Sequence, residues 1–167
     1  MASALYPGSF DPVTRGHLDL VERALEIFDS VTVAAAENIS KRTVFSLDER
    51  LELLRLALPD SPRVSVVAFR GLVVDYCRRE GHRIVLRGLR TASDFEYEYQ
   101  MALTNRHLND EVETVFVMPS ARYSYISSTL IKDIVRNGGD VSDFLSPEVE
   151  ARLRQRLTEQ APPRPAS

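Results

Sequence analysis

Tyr6-Pro7-Gly8-Ser9-Phe10-Asp11-Pro12-Val13-Thr14-Arg15-Gly16-His17 decides how the rest of this 167-residue chain is read. The apolar run Ala4-Leu5-Tyr6 enters it as a strand, and Leu18, Val21, Leu25 and Phe28 leave it at helical spacing. Between them lies a tight Gly/Pro loop that ends on a histidine in the first helical turn. A helix start offers unpaired N–H groups and a partial positive charge, so such a loop can gather N–H groups, the Ser9 hydroxyl and the His17 imidazole around one phosphate. Gly8 and Gly16 are read as places where the backbone comes close to a ligand. The string is neither a Gly-x-x-x-x-Gly-Lys-Ser/Thr loop nor a Gly-x-Gly-x-x-Gly turn.

Outward from this loop, short β-rich runs alternate with helical patterns. Strands are predicted at Ala4-Leu5-Tyr6, Val31 to Ala36, Val64 to Phe69, Ile84-Val85-Leu86 and Thr114 to Met118. These runs are continuously apolar, which predicts strands buried on both faces of a parallel sheet. Ser46-x-x-Glu49 and Ser93-x-x-Glu96 read as capping boxes that start two helices. Other helices are expected from about Leu72 to Glu80, after Ser127 up to a stop at Gly138-Gly139, and from Ser146-Pro147. The expected fold is α/β: a doubly wound, Rossmann-like five-stranded parallel sheet flanked by helices, in one domain over residues 1–159. Residues 160–167, rich in Pro and Ala, are expected to be disordered.

Composition narrows the function classes. A net charge of -3 argues against a nucleic-acid or anionic-membrane partner. No apolar run approaches the ~18 residues of a membrane span, and no signal segment is evident. The single cysteine, Cys77, fits a reducing, cytoplasmic setting and reads as a core residue. With three histidines and one cysteine at no ligand spacing, a metal centre built from the protein is not expected.

In a doubly wound sheet, ligands bind beyond the carboxyl ends of the strands near the switch point. Four loops with phosphate-compatible chemistry fall there. The first carries Ser9 and His17. The second holds Lys41, one of only two lysines beside 19 arginines, which reads either as a phosphate partner or as a solvated turn. The third, Arg87-Gly88-Leu89-Arg90, can fork onto phosphate oxygens or pair with Asp94, Glu96 and Glu98. The fourth runs from Pro119 to Ser128 and opens a helix with Ser127, Ser128 and Thr129, hydroxyls that read as an N-cap or as a second anion seat. Lys132 and Arg136, one and two turns on, are placed at least partly outside the site. Phe95, Tyr99 and Ala102 read as one packing side of a helix.

Together these strings resemble the nucleotidylyltransferases with a Thr/His-x-Gly-His signature, here Thr14-Arg15-Gly16-His17. Ile126-Ser127-Ser128-Thr129, ending at Lys132, is similar to the second motif of that superfamily. Asp94-Phe95-Glu96-Tyr97-Glu98, followed by Asn105-Arg106-His107-Leu108, resembles the bacterial phosphopantetheine adenylyltransferase family more closely. The resemblance implies transfer of AMP from ATP to 4′-phosphopantetheine with Mg2+, by direct in-line attack without a covalent enzyme intermediate. It implies that His17 stabilises the transition state, that Ser9 touches both substrates, and that Lys41 and Arg90 complete the catalytic set. It assigns the acceptor phosphate to Lys41 and Arg87, and the pantetheine arm to Val73. Around ATP it places Ser9, Phe10, His17, Gly88, Leu89, Arg90, Glu98, Tyr123, Ser124, Tyr125, Ile126, Ser127, Ser128 and Thr129. It also implies a homohexamer and coenzyme A as a feedback ligand. A different phosphorylated acceptor on the same fold, or a nucleotide sensor without turnover, are the competing readings.

Overall fold

The computed structural model describes residues 2–37 and 42–160. Five parallel strands, β1 (Ser3–Gly8), β2 (Ser30–Glu37), β3 (Val64–Arg70), β4 (Ile84–Gly88) and β5 (Glu113–Val117), line up in the order β3-β2-β1-β4-β5. Six helices connect and flank them: α1 (Arg15–Ile27), α2 (Leu47–Ala57), α3 (Val73–Glu80), α4 (Ala92–Leu108), α5 (Ser128–Arg136) and α6 (Pro147–Glu159). The predicted parallel sheet is therefore present, and β1 sits at its switch point, paired with β2 on one side and β4 on the other.

Strand pleating divides the core in two. Ala4 and Tyr6 of β1, with Val31, Val33 and Ala35 of β2, face a large cluster that includes Leu53, Ile131 and Leu153. Leu5 and Ala34 face a smaller one around Tyr76, Cys77 and Val112. Cys77 is fully buried there, as read from the sequence. Burial on both faces does not extend to the edges: β3 and β5 are half-exposed along most of their length. A run of apolar residues identifies a strand but does not say which strand has a neighbour missing.

The pairing around β1 is unequal. β1 is in register with β2 from Ser3 to Gly8, whereas it pairs with β4 only at Ala4 and Leu5. Beyond Leu5 the two strands part, and the Arg87 guanidinium enters the gap to donate to the Pro7 carbonyl at 2.8 Å. This fork in the sheet opens the crevice that topology predicts.

Helix starts differ in one case from expectation. Ser46 and Glu49 form the predicted capping box on α2. The cap of α4 falls two residues before the expected Ser93, at Thr91, which accepts from the Asp94 N–H. Thr and Ser are near-equal caps, so the choice falls to where β4 delivers the chain. α5 ends as predicted, at Asn137 followed by Gly138 at φ 78°.

Candidate active site

The first loop is built around its aromatic residue. Phe10 adopts φ 47°, a left-handed conformation that a bulky side chain rarely takes, and its ring packs edge-on to Tyr6 (5.4 Å) and His17 (5.0 Å). A Cβ at Gly8 would lie 2.9 Å from that ring, so glycine is required there by packing. Gly16 differs: a Cβ would meet only ordinary contacts at 3.5 Å or more. Buried Arg50 straps the loop to the sheet, donating from Nη1 to the Ser9 carbonyl (2.6 Å) and to the Ala36 carbonyl (2.9 Å).

His17 is fixed by an unusual capping box. Thr14 is the N-cap of α1, and its hydroxyl accepts from the His17 N–H at 3.3 Å. His17 sits at the third helical position and returns the bond, Nδ1 accepting from the Thr14 backbone N–H at 3.0 Å. An imidazole takes the place usually held by Glu or Gln. Its other edge faces a cleft of about 270 Å³. The ring pKa is lowered from 6.5 to about 4, first by burial and then by the positive charges of Arg90 and Arg87.

Opposite the histidine, Arg87 and Glu98 form a bidentate pair, Nε to Oε2 at 2.7 Å and Nη2 to Oε1 at 2.5 Å. Burial opposes the Arg87 charge, but Glu98 more than compensates and raises its pKa. Arg90 donates to Asp94 at 3.1 Å and to the Ile126 carbonyl at 2.9 Å, tying the third loop to the fourth. Both arginines therefore make the carboxylate pairs that the sequence offered as an alternative, and both still line the cleft.

Ser127 caps α5 by accepting from the Leu130 N–H, and Ser128 donates to the Pro12 carbonyl at 2.8 Å. Ser127 thus closes the helix end, Ser128 ties that end to the first loop, and Thr129 joins them along the cleft wall. Lys132 overturns the expectation that it stands partly outside. It lies four residues after Ser128, on the same helix face, and lines the cleft. Its ammonium pairs with Asp11 at 3.0 Å. Asp11, almost fully buried beside the cis Asp11–Pro12 peptide, also accepts from the Val44 and Phe45 N–H groups at 2.9 Å each.

Of the residues assigned to ATP, Ser9, Phe10, His17, Gly88, Arg90, Glu98, Tyr123, Ile126, Ser127, Ser128 and Thr129 share this cleft. Leu89 and Ser124 line a neighbouring hollow that Arg90 also borders. Tyr125 does neither: it is largely exposed and packs edge-on to Phe144. Lys41 lies outside the described residues. Val73 falls in a second cavity, of about 690 Å³, with Phe69, Leu72, Met101 and Ala102. Pro7, Gly8, Ser9, Arg87 and Glu98 belong to both cavities and form the wall between them. Phe95 and Tyr99 do not pack inward as expected; they stack on each other, half-exposed, while Glu98 and Asn105 supply the buried side of α4.

Sequence reasoning missed Thr14, Asp11 and Lys132 as parts of the site. For Thr14 and Lys132 the signals were present, a cap-to-N3 spacing with histidine at N3 and an i,i+4 step from Ser128. For Asp11 there was none, because its partners Val44 and Phe45 lie over thirty positions away.

A family model described as Cytidylyltransferase-like matches residues 5–134. The chain is 51% identical over 157 residues to a phosphopantetheine adenylyltransferase of Desulforudis audaxviator, covering 94% of this chain and 96% of that protein. It is 50% identical over 159 residues to a phosphopantetheine adenylyltransferase of Thiobacillus denitrificans, covering 95% and 99% respectively. The same identity holds over 159 residues with a protein of that name from Bordetella petrii, covering 95% and 94%.

Proposed function

Since the chain belongs to the Cytidylyltransferase-like family and, within it, to the phosphopantetheine adenylyltransferases, we propose that it joins AMP from ATP to 4′-phosphopantetheine by direct in-line attack. The products are dephospho-coenzyme A and pyrophosphate. The observation that carries the reading is the shared wall: two cavities meet at Pro7-Gly8-Ser9 and Arg87-Glu98, one rich in cations, the other apolar. ATP occupies the cleft, with its triphosphate toward the α5 N-terminus, Arg90 and Lys132. The pantetheine arm occupies the second cavity along Val73, and its phosphate reaches the wall at Ser9 and Arg87, with Lys41 as a further partner.

The acceptor phosphate itself is the nucleophile, so the protein supplies no attacking group. Its contribution is alignment and charge stabilisation. With Nδ1 engaged by Thr14, the neutral His17 ring carries its proton on Nε2 and donates it as a hydrogen bond to the oxygens of the transferred phosphorus. Arg90 and Lys132 draw charge toward the leaving pyrophosphate. A Mg2+ ion held by the ATP phosphates would neutralise part of their charge. Among the described residues no group of three His, Cys, Asp or Glu could hold a metal, so the donor set suits an ion brought by the nucleotide.

The chain acts in the cytoplasm as a homohexamer, with coenzyme A as a feedback ligand on the same acceptor cavity. Phe95, Tyr99, Leu103 and Leu108, exposed along α4, support self-association. Among the described residues no helix is long and apolar enough to cross a membrane.

A pyrophosphate-release assay with an acceptor panel tests the assignment. Release with ATP and 4′-phosphopantetheine, and not with nicotinamide mononucleotide or a phosphorylated polyol, is expected. Release only with another acceptor overturns the assignment. ATP binding without release from any acceptor converts the protein to a nucleotide sensor.

A further inference from the structure

We propose that Thr14 is a positioning residue that holds the His17 ring in its neutral, Nε2-protonated tautomer, so that the first turn of α1 sets the proton the reaction uses. The proposal rests on the role given to His17 above.

The geometry leaves one consistent assignment. A backbone N–H can only donate, and the Thr14 N–H lies 3.0 Å from His17 Nδ1. Nδ1 must therefore be an acceptor, which puts the single proton of a neutral imidazole on Nε2. The Thr14 hydroxyl, also 3.0 Å from Nδ1, is free to donate to it while accepting from the His17 N–H. Protonating Nδ1 would set two N–H groups against each other and break the cap from the imidazole side.

The surroundings do not reverse this preference. The ionisable groups sharing the cleft are Tyr6 on β1, Asp11 in the loop, Arg87 and Arg90 beside β4, Asp94 and Glu98 on α4, Tyr123 in the turn, and Lys132 on α5. Its three carboxylates are paired elsewhere, Asp11 with Lys132, Glu98 with Arg87 and Asp94 with Arg90. The nearby cations oppose a third positive charge on the ring. A helix N-terminus does the same. The sign follows: the ring stays neutral down to mildly acid pH, and anything that removes the donors to Nδ1 moves its titration upward.

The test uses the full chain labelled with 15N-histidine. Only three histidines are present, and His17 is assigned by the loss of its signals in His17→Gln. In the wild type the ring spectra are expected to show an unprotonated Nδ1 and a protonated Nε2 throughout pH 5 to 8. Thr14→Val removes one of the two donors to Nδ1; a rise in the ring's titration midpoint and a fall of about five-fold in kcat are expected, with KM for ATP nearly unchanged. Thr14→Ser restores both. Thr14→Asp keeps a good N-cap but places a carboxylate beside Nδ1, so the ring should titrate within pH 5 to 8 at near wild-type Tm.

A proton on Nδ1 in the wild type overturns the proposal, and that spectrum needs no variant to fold. So does a Thr14→Asp enzyme whose ring still titrates below pH 5. His17→Ala turnover tests the catalytic role separately, whatever the spectra show.

Discussion

The two cavities on either side of the first loop are made by opposite means. The cleft beside His17, about 270 Å³, is walled by groups already engaged with one another: Arg87 with Glu98, Arg90 with Asp94, Lys132 with Asp11. The cavity along Val73, about 690 Å³, is lined largely by apolar side chains from β2, β3, α3 and α4. The smaller space is therefore preorganised by charge, which fixes direction, and the larger by apolar shape. Each calls for a different failure when a residue is removed.

The largest expected effect lies at the reaction centre. His17→Ala should lower kcat by at least about 10²–10³ while ATP affinity changes far less, because the lost donor matters most as charge develops. Near wild-type turnover in steady-state kinetics would remove His17 from the mechanism. Next is the shared wall. Arg87→Ala leaves the buried Glu98 carboxylate without its bidentate partner, so kcat/KM for both substrates should fall by about ten-fold or more, with a lower Tm. An effect confined to one substrate would show that the wall is not shared. The smallest effect separates the cavities: Val73→Asp should raise the acceptor KM by about ten-fold and leave the ATP KM within about two-fold. Equal rises in both would merge the two spaces into one.

Much of this was legible before any coordinates. The parallel sheet follows from the five apolar runs, and the crevice from the rule that ligands lie beyond the strand ends at a switch point. Ser9, His17, Arg90 and Ser128 do converge on one cleft. What sequence could not settle was partnership. Arg87 and Arg90 could face a phosphate or a carboxylate, and in the structure each keeps a carboxylate while lining the cleft. Lys132, one turn on, was placed partly outside, yet the i,i+4 step from Ser128 keeps it on the same helix face and in the cleft. Phe95 and Tyr99 looked like core because they share one helix side with Ala102, yet the buried polar residues of α4 among those described are Glu98 and Asn105. Glu98 turns inward to meet the Arg87 guanidinium, so the usual apolar stripe is interrupted there.

The parting of β1 from β4 after Leu5 has a consequence for how such a protein can change. The slot is written in the main chain, while the identity of its occupant is written in the side chains around it. Exchanging Val73, Met101 or Ala102 would re-tailor the guest without having to invent a new opening. A scaffold with a permanent doorway and replaceable furnishings can diversify its chemistry one residue at a time.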